Sequence, residues 1–335
     1  MHSSFRSAAG FAVIVLLLSG PALTAQEAAD PLVSWSDTPT KLRIRKFVET
    51  VTDKASPDYV LPAQRIATFD NDGTLWTEQP MYVEVVFAVD RVRALVRQNP
   101  DLKDKEPYKA ILAADPAKPI RLSDKEMNEV TAVSHAGMTT EEFDSLVKDW
   151  LATARHPRFK RPYTELAYQP MIELLAYLRA NGFKTYIVSG GGVEFMRAFT
   201  EKIYGIAPEQ VVGTSIVTKY ELRKDGPVLV RLPEFLFSDN FGGKAEGIQR
   251  HIGRRPIAAF GNSDGDQQML EWTAAGKGSR LMMLVHHDDG EREYAYDRDS
   301  DVGRLDKALD EAKRRDWLVT SMKKDWKVIY AFEKK

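Results

Sequence analysis

The run Arg65-Ile66-Ala67-Thr68-Phe69, followed by Asp70-Asn71-Asp72-Gly73-Thr74-Leu75, decides how this chain is read. A short apolar run reads as a buried strand, and the polar stretch after it sets two carboxylates on the turn that leaves the strand. Open α/β sheets bind their ligands at that end. A carboxylate attacks phosphorus only when the substrate's own negative charge is neutralised, and adjacent acids with room for a hard cation invite Mg²⁺ to do this. Asp70 is therefore the candidate nucleophile. Asp72 can reach the leaving oxygen, Gly73 lets the chain turn sharply, and Thr74 offers a hydroxyl for local bonding. The same residue types also make ordinary turns and caps, so matching parts must recur downstream.

They do recur. A second apolar run, Lys184 to Val188, leads into Ser189-Gly190-Gly191-Gly192 and the helix-like segment Val193 to Tyr204. A hydroxyl and bare amides opening a helix can face an anion, with Ser189 and Gly190 as phosphate-binding candidates, although glycine clusters also mark plain turns. Lys244 follows Gly242-Gly243 and begins the helical pattern Ala245 to Ile252. It is placed either to neutralise phosphate charge or to sit solvated on a helix face. The strand-like run Pro256 to Phe260 then ends in Gly261-Asn262-Ser263-Asp264-Gly265-Asp266.

With these residues in order, the chain resembles a haloacid-dehalogenase-superfamily hydrolase of the phosphoserine-phosphatase-like kind. The resemblance spans roughly residues 65 to 285. The family's motifs map onto Asp70 and Asp72, Ser189, Lys244, and the loop from Asn262 to Asp266. An α/β fold is implied: a Rossmann-like, doubly wound, mostly parallel sheet with an inserted helical cap domain. Also implied are Mg²⁺ as cofactor and a small phosphomonoester as substrate. Asp70 would be phosphorylated, while Asp72 would protonate the leaving alcohol and then activate water. An acid two residues after the nucleophile resembles the phosphatases of the superfamily and argues against its dehalogenases. The fourth motif departs from the family, which begins it with Gly-Asp and places another Asp four residues later. Here those positions hold Asn262 and Asp266. An amide still offers a carbonyl oxygen to a cation but removes a negative charge, which Asp264 could supply. The expected metal ligands are Asp70, the backbone carbonyl of Asp72, Asn262 and Asp266, with Asp264 held open. A catalytically weakened phosphate-binding or interaction protein on the same fold is the competing reading, with Asn262 its warning sign.

Residues 1–25 carry Arg6, an apolar core from Ala8 through Leu18, and the small residues Ala22 and Ala25, the pattern of a cleavable secretory signal peptide. Periplasmic or secreted localisation follows as an expectation, without membrane attachment after cleavage. The apolar core is shorter than the ~20 residues a span requires. Cleavage would remove one of 47 basic residues and none of 48 acidic ones, so charge makes no case for nucleic acid as a dedicated partner. With no cysteine, stability must come from the core rather than from disulfides.

Spacing divides the remainder into a first core part at 26–76, a helical insertion at 77–162 and a second core part at 163–335. The insertion shows Tyr82, Val85, Val86, Val89, Val92 and Val96 on one face. Thr139-Thr140-Glu141-Glu142 reads as a capping box ahead of Phe143, Leu146 and Trp150. Val211 to Val217 and Val228 to Leu232, separated by Lys224-Asp225-Gly226-Pro227, suggest a hairpin or small sheet extension. Leu281 to Val285 reads as a core strand, His286 and His287 as a polar rim or second metal site, and Trp326 to Phe332 as an edge strand. Leaving-group recognition falls on Trp76, Glu78, Gln79, Arg91 and Arg93, with Glu78 suited to an amine.

Overall fold

The computed structural model describes residues 30–115, 118–120 and 122–333. The expected signal peptide lies outside them. In chain order come helix α1 (Pro39–Thr52) and strand β1 (Ile66–Phe69), then helices α2 (Val83–Gln98), α3 (Tyr108–Ala113), α4 (Asp124–His135), α5 (Thr140–Thr153) and α6 (Gln169–Ala180). Strand β2 (Lys184–Gly192), helices α7 (Val193–Arg197) and α8 (Thr200–Tyr204), and strands β3 (Val211–Arg223) and β4 (Gly226–Phe237) follow. The chain continues with α9 (Gly242–Gly247), β5 (Ala258–Gly261), α10 (Gln267–Ala274), β6 (Leu281–Asp288) and β7 (Ala295–Tyr296). It closes with α11 (Lys307–Arg314), β8 (Leu318–Ser321) and α12 (Met322–Asp325).

The strands form one sheet in the order β4-β3-β2-β1-β5-β6, with both β7 and β8 paired to β6. Pairings β1–β2, β1–β5, β2–β3, β5–β6 and β6–β8 are parallel, while the β3–β4 and β6–β7 pairs are antiparallel. Every residue of β1 and β5 is buried, as expected of strands covered on both faces. Alternate side chains serve the two faces. Phe69, Ile187, Phe260 and Val285 join Phe47 and Val51 of α1 and Leu174 of α6. Val188, Ala259 and Leu284 join Leu270 of α10 and Ala308 of α11. The rings of Phe69 and Phe260 stack across β1 and β5 at 4.3 Å. Because the chain runs from β1 outward to β2 and β3 and then returns to β5 on the other side, the strand order reverses at β1. Its carboxyl end is therefore the crevice where doubly wound sheets bind ligands.

Helices α2 to α5 contribute no strand to this sheet. Val89, Val92 and Val96 of α2 pack with Tyr108, Ile111 and Val130 in a small core of their own. Thr139 makes the expected capping box with Glu142 at the start of α5. Two sequence expectations are extended or corrected. The β-rich stretches become a long hairpin, from Ser215↔Phe237 to Arg223↔Gly226, whose second strand reaches the helical segment: the Arg231 amide donates to the Met138 carbonyl at 2.9 Å. The residues from Trp326 to Phe332 do not form the edge strand. That place is taken by Leu318–Ser321, while Trp326 and Tyr330 are buried and make single bridges to Trp35 and Tyr168. Bulky aromatics here anchor the tail against the core instead of extending a ladder.

Candidate active site

The register of the three central strands brings the site together. Phe69 pairs with Ile187 on one side and Phe260 on the other, so Asp70, Ser189 and Asn262 leave adjacent strands at one level. The Asp70 amide donates to the Phe260 carbonyl at 2.9 Å. The turn after Asp70 is tied by the Asn71 carbonyl, which accepts from Thr74 and Leu75, and Gly73 sits at φ +72°. A side chain at Gly73 would be strained at that φ and would collide with Asn262 and Glu78.

Lys244 is buried and bridges two acids, with Nζ 2.7 Å from Asp70 and 2.5 Å from Asp266. Burial alone would lower its pKa, but the charges of Asp266 and Asp70 outweigh this and push it up, so Lys244 is a fixed cation. The Asp70 carboxyl is raised to about 6, chiefly by burial and then by the charge of Asp266, with Lys244 opposing. Asp72 is raised to about 7, again by burial first and by Asp70 second. Its Oδ1 accepts from the Trp76 indole at 2.8 Å, and that indole is stacked on Phe199. The carboxyl is thereby held in place, and its raised pKa lets it exchange a proton near neutral pH. Ser189 is buried at the bulge of β2, its Oγ accepting from the Gly191 amide at 3.3 Å.

Several candidates have roles other than those expected. Asp266 accepts from Lys244 through one oxygen, and its second oxygen accepts from the amides of Asn262 and Ser263, both at 3.0 Å. Asp264 turns away from the site, because its Oδ1 accepts from the amides of Asp306 and Ala308 at 2.9 Å and caps the start of α11. Thr74 donates to Asn262 Oδ1 at 3.0 Å and so positions the loop rather than standing free for substrate. Glu78 lines the cavity but is buried, accepting from Asn262 Nδ2 at 2.6 Å and from the Tyr296 hydroxyl at 2.7 Å. Burial pushes its pKa well up. His287 is within strand β6, bonded to the Gly73 carbonyl at 2.8 Å and to Glu293 at 3.2 Å, and His286 faces Asp297. Among the described residues no three His, Cys, Asp or Glu side chains are placed to share an ion. Arg91 and Arg93 are not among the residues lining the cavity, and Arg93 pairs with Asp90.

Asp70, Asp72, Ser189, Gly190 and Lys244 open onto a cavity of 310 Å³ whose other walls come from α2, α4 and the hairpin. The sequence reading did not name the polar residues of those walls. Glu84 reaches in from α2, bonded to the Gly192 amide at 2.7 Å and facing His135 at 3.2 Å. A Cβ at Gly192 would collide with Glu84, which gives that glycine a specific reason to be there. Arg231 of β4 pairs with Glu194 and donates to the His135 carbonyl at 2.7 Å. Asp239, buried beside Lys244, is raised by that burial to about 7. Glu84 was readable in principle, since Glu84, Val85 and Ala88 share a helical face that includes a lone acid.

The family model for haloacid dehalogenase-like hydrolases matches residues 67–271, a range that contains every residue lining the cavity. The chain belongs to the haloacid dehalogenase-like hydrolases. Among solved structures it is similar to a protein of unknown function from Anaerococcus prevotii, at 17% identity over 82% of this chain and 88% of that one, with a TM-score of 0.47. A phosphoserine phosphohydrolase-like protein from Francisella tularensis matches at 17% identity over 68% of this chain and 89% of that one, TM-score 0.35. A substrate-bound phosphoserine phosphatase matches at 15% identity over 75% and 98%, TM-score 0.35. No curated protein matches the chain.

Proposed function

We propose that this hydrolase is a Mg²⁺-dependent phosphomonoesterase that works through an aspartyl-phosphate on small phosphate esters. One observation carries the reading. Asp70 is held at 2.7 Å by a buried lysine, while Asp72, two residues on, has a carboxyl raised to about 7. Two carboxyls of one turn thus have different surroundings, one paired with a buried cation and the other raised by burial to where it can give up and take back a proton near neutral pH.

The donor set fits the cation. Asp70 contributes a carboxylate, Asp72 its backbone carbonyl, and Asn262 an amide oxygen with one acceptor direction left beyond its bond from Thr74. All are hard oxygens, the chemistry Mg²⁺ selects, and the bound ion would screen the phosphoryl charge from the nucleophile. Lys244 adds a fixed positive charge at Asp70, and the Ser189 hydroxyl with the glycine amides after it lies where phosphoryl oxygens would be held. An Asp70 oxygen forms a bond to phosphorus as the bond to the leaving oxygen breaks, and the Asp72 proton passes to that oxygen. In the second half Asp72, now a carboxylate, takes a proton from water. The water oxygen bonds to phosphorus, the Asp70–phosphorus bond breaks, and inorganic phosphate leaves.

The cavity volume of 310 Å³ suits a phosphate carrying a small leaving group, read by Glu84, His135 and Arg231 on the helical and hairpin walls. We take these walls to be the cap of the enzyme. The sequence of residues 1–25 supports export, which N-terminal sequencing of the protein recovered from the periplasmic fraction would check. The activity itself is tested by assaying the purified protein on a phosphomonoester panel with Mg²⁺ and with chelator. Release of phosphate from small esters, abolished by chelator, is expected; no release from any ester would refute the reading and favour a phosphate-binding protein.

A further inference from the structure

We infer that His287 and Glu293 form a buried clamp on the catalytic turn, and that through the turn they position the Asp72 carboxyl. This role rests on reading Asp72 as the proton donor of a phosphomonoesterase. The proposed reaction leaves the histidine pair at the end of β6 without a part to play. His287 Nε2 lies 2.8 Å from the Gly73 carbonyl, and Nδ1 lies 3.2 Å from Glu293, with both side chains buried. A carbonyl can only accept, so Nε2 carries a hydrogen and donates it, whichever of Nδ1 and Glu293 holds the proton between them. Glu293 also reaches the turn directly, because its Oε1 accepts from the Thr77 hydroxyl at 3.1 Å. The two contacts fall at residues 73 and 77. Between them stands Trp76, whose indole donates to Asp72 at 2.8 Å.

The turn has a physical need for such a clamp. Its Asn71 carbonyl and Gly73 amide are spent within the turn, on Thr74, Leu75 and Trp76, while the Gly73 carbonyl is met from β6. Residue 73 must be glycine, because its φ is +72° and a Cβ there would strike Asn262 and Glu78. Glycine is also the residue whose flanking peptide units rotate at least cost, so a turn that needs it gains most from a bond that fixes its carbonyl. The clamp is itself held firmly. The imidazole is stacked on the Tyr296 ring at 4.4 Å, and Glu293 accepts further bonds from the Tyr168 hydroxyl at 3.2 Å and the Tyr294 amide at 2.6 Å. Neither side chain of the pair lines the cavity, so both act through the turn, as positioning residues.

The test is a pair of substitutions in the full chain that separate the two ring nitrogens. His287→Gln keeps a donor near the place of Nε2, whereas His287→Asn keeps one near Nδ1 and loses the bond to Gly73. With Mg²⁺ present, His287→Asn should lower kcat on alkyl phosphates by about 10-fold to 100-fold, the scale of a misplacement of about 1 Å, with KM within about twofold. Aryl phosphates should lose under about threefold, since only the alkyl esters need the Asp72 proton. His287→Gln should stay within about threefold of the parent on both kinds of ester. Backbone hydrogen exchange gives a readout independent of turnover. In His287→Asn the peptide covering residues 70–77 should exchange at least about 10-fold faster than in the parent while the amides of β2 do not change, and His287→Gln should restore the parent's protection. Equal losses on both kinds of ester, a turn and a β2 loosened by the same factor, or a His287→Gln no better than His287→Asn would each overturn the inference. Should His287→Asn fail to fold, Thr77→Val removes the second contact and should show the same ester bias and the same local exchange at smaller size; parent behaviour in that variant would overturn the inference. A parent that hydrolyses no phosphomonoester would refute the proposed reaction, while the exchange measurements would still decide whether the pair holds the turn.

Discussion

Replacing Lys244 with Met is the perturbation whose consequences the structure specifies most fully. The ammonium lies 2.7 Å from Asp70 and 2.5 Å from Asp266, and all three groups are buried. Methionine retains the length of the side chain and removes the charge. Two buried carboxylates then face each other without a cation, and Asp70, already raised to about 6, must rise further. Removing one partner of a buried pair costs about 3–5 kcal/mol, and the loss of a fixed charge from the reaction centre costs about 10²–10³ in turnover. Urea unfolding of Lys244→Met should show the stability loss in the midpoint with little change in slope. The double variant Lys244→Met/Asp266→Asn should recover a large part of that stability and none of the activity, because the second change relieves the repulsion without restoring the charge. If Lys244→Met unfolds within about 1 kcal/mol of the parent, or if the double variant is no more stable than the single, the three groups are not coupled as described.

Asp72→Asn should slow turnover of esters with poor leaving groups far more than that of activated aryl phosphates, since only the former need the Asp72 proton; equal losses in steady-state assays would make Asp72 a structural residue. In metal-free protein, Asp70 at about 6 and Asp72 and Asp239 at about 7 lie above the unfolded value of 3.8. The folded state therefore holds protons that the unfolded chain releases, so this contribution to stability is full below about pH 4 and is lost as pH rises through about 7. Thermal unfolding in chelator should show the loss, Asp239→Asn should flatten it, and a slope unchanged in that variant would contradict the assignment. Gly192→Ala should push Glu84 out of the cavity and raise KM with a lesser effect on kcat, an outcome that unchanged kinetics would rule out.

The central architecture was legible because each core strand is a short apolar run ending in a polar or glycine-rich turn. Buried parallel strands and their ligand-binding ends impose that pattern directly, and Asp70, Ser189 and Asn262 were found by it. The switch in strand order at β1 was not read from the sequence and shows only in the pairing of the folded strands. The roles within the fourth motif were less accessible. Asn262, Asp264 and Asp266 alternate over five residues, and only the position of α11 shows that Asp264 is consumed in capping it. The bond of Asp266 to Lys244 and that of Glu78 to Asn262 join distant segments, so no local pattern marks them. The tail was misread because Trp326, Ile329 and Tyr330 resemble a strand in composition, yet serve to seal the core beside Trp35 and Tyr168. Arg231 and His135 were passed over because the hairpin and α4 meet only in the folded chain.

The proposed reaction turns on Asp70 as the nucleophile that carries the phosphoryl group. The most direct measurement is acid quenching of the protein during turnover of a phosphomonoester with Mg²⁺, followed by peptide mass spectrometry with and without hydroxylamine. One phosphoryl group is expected on the peptide carrying Asp70, labile to hydroxylamine as an acyl phosphate is, and absent from folded Asp70→Asn, which should also lack turnover. Phosphate released at the parent's rate by folded Asp70→Asn, or a phosphoryl group found on another residue, would contradict it.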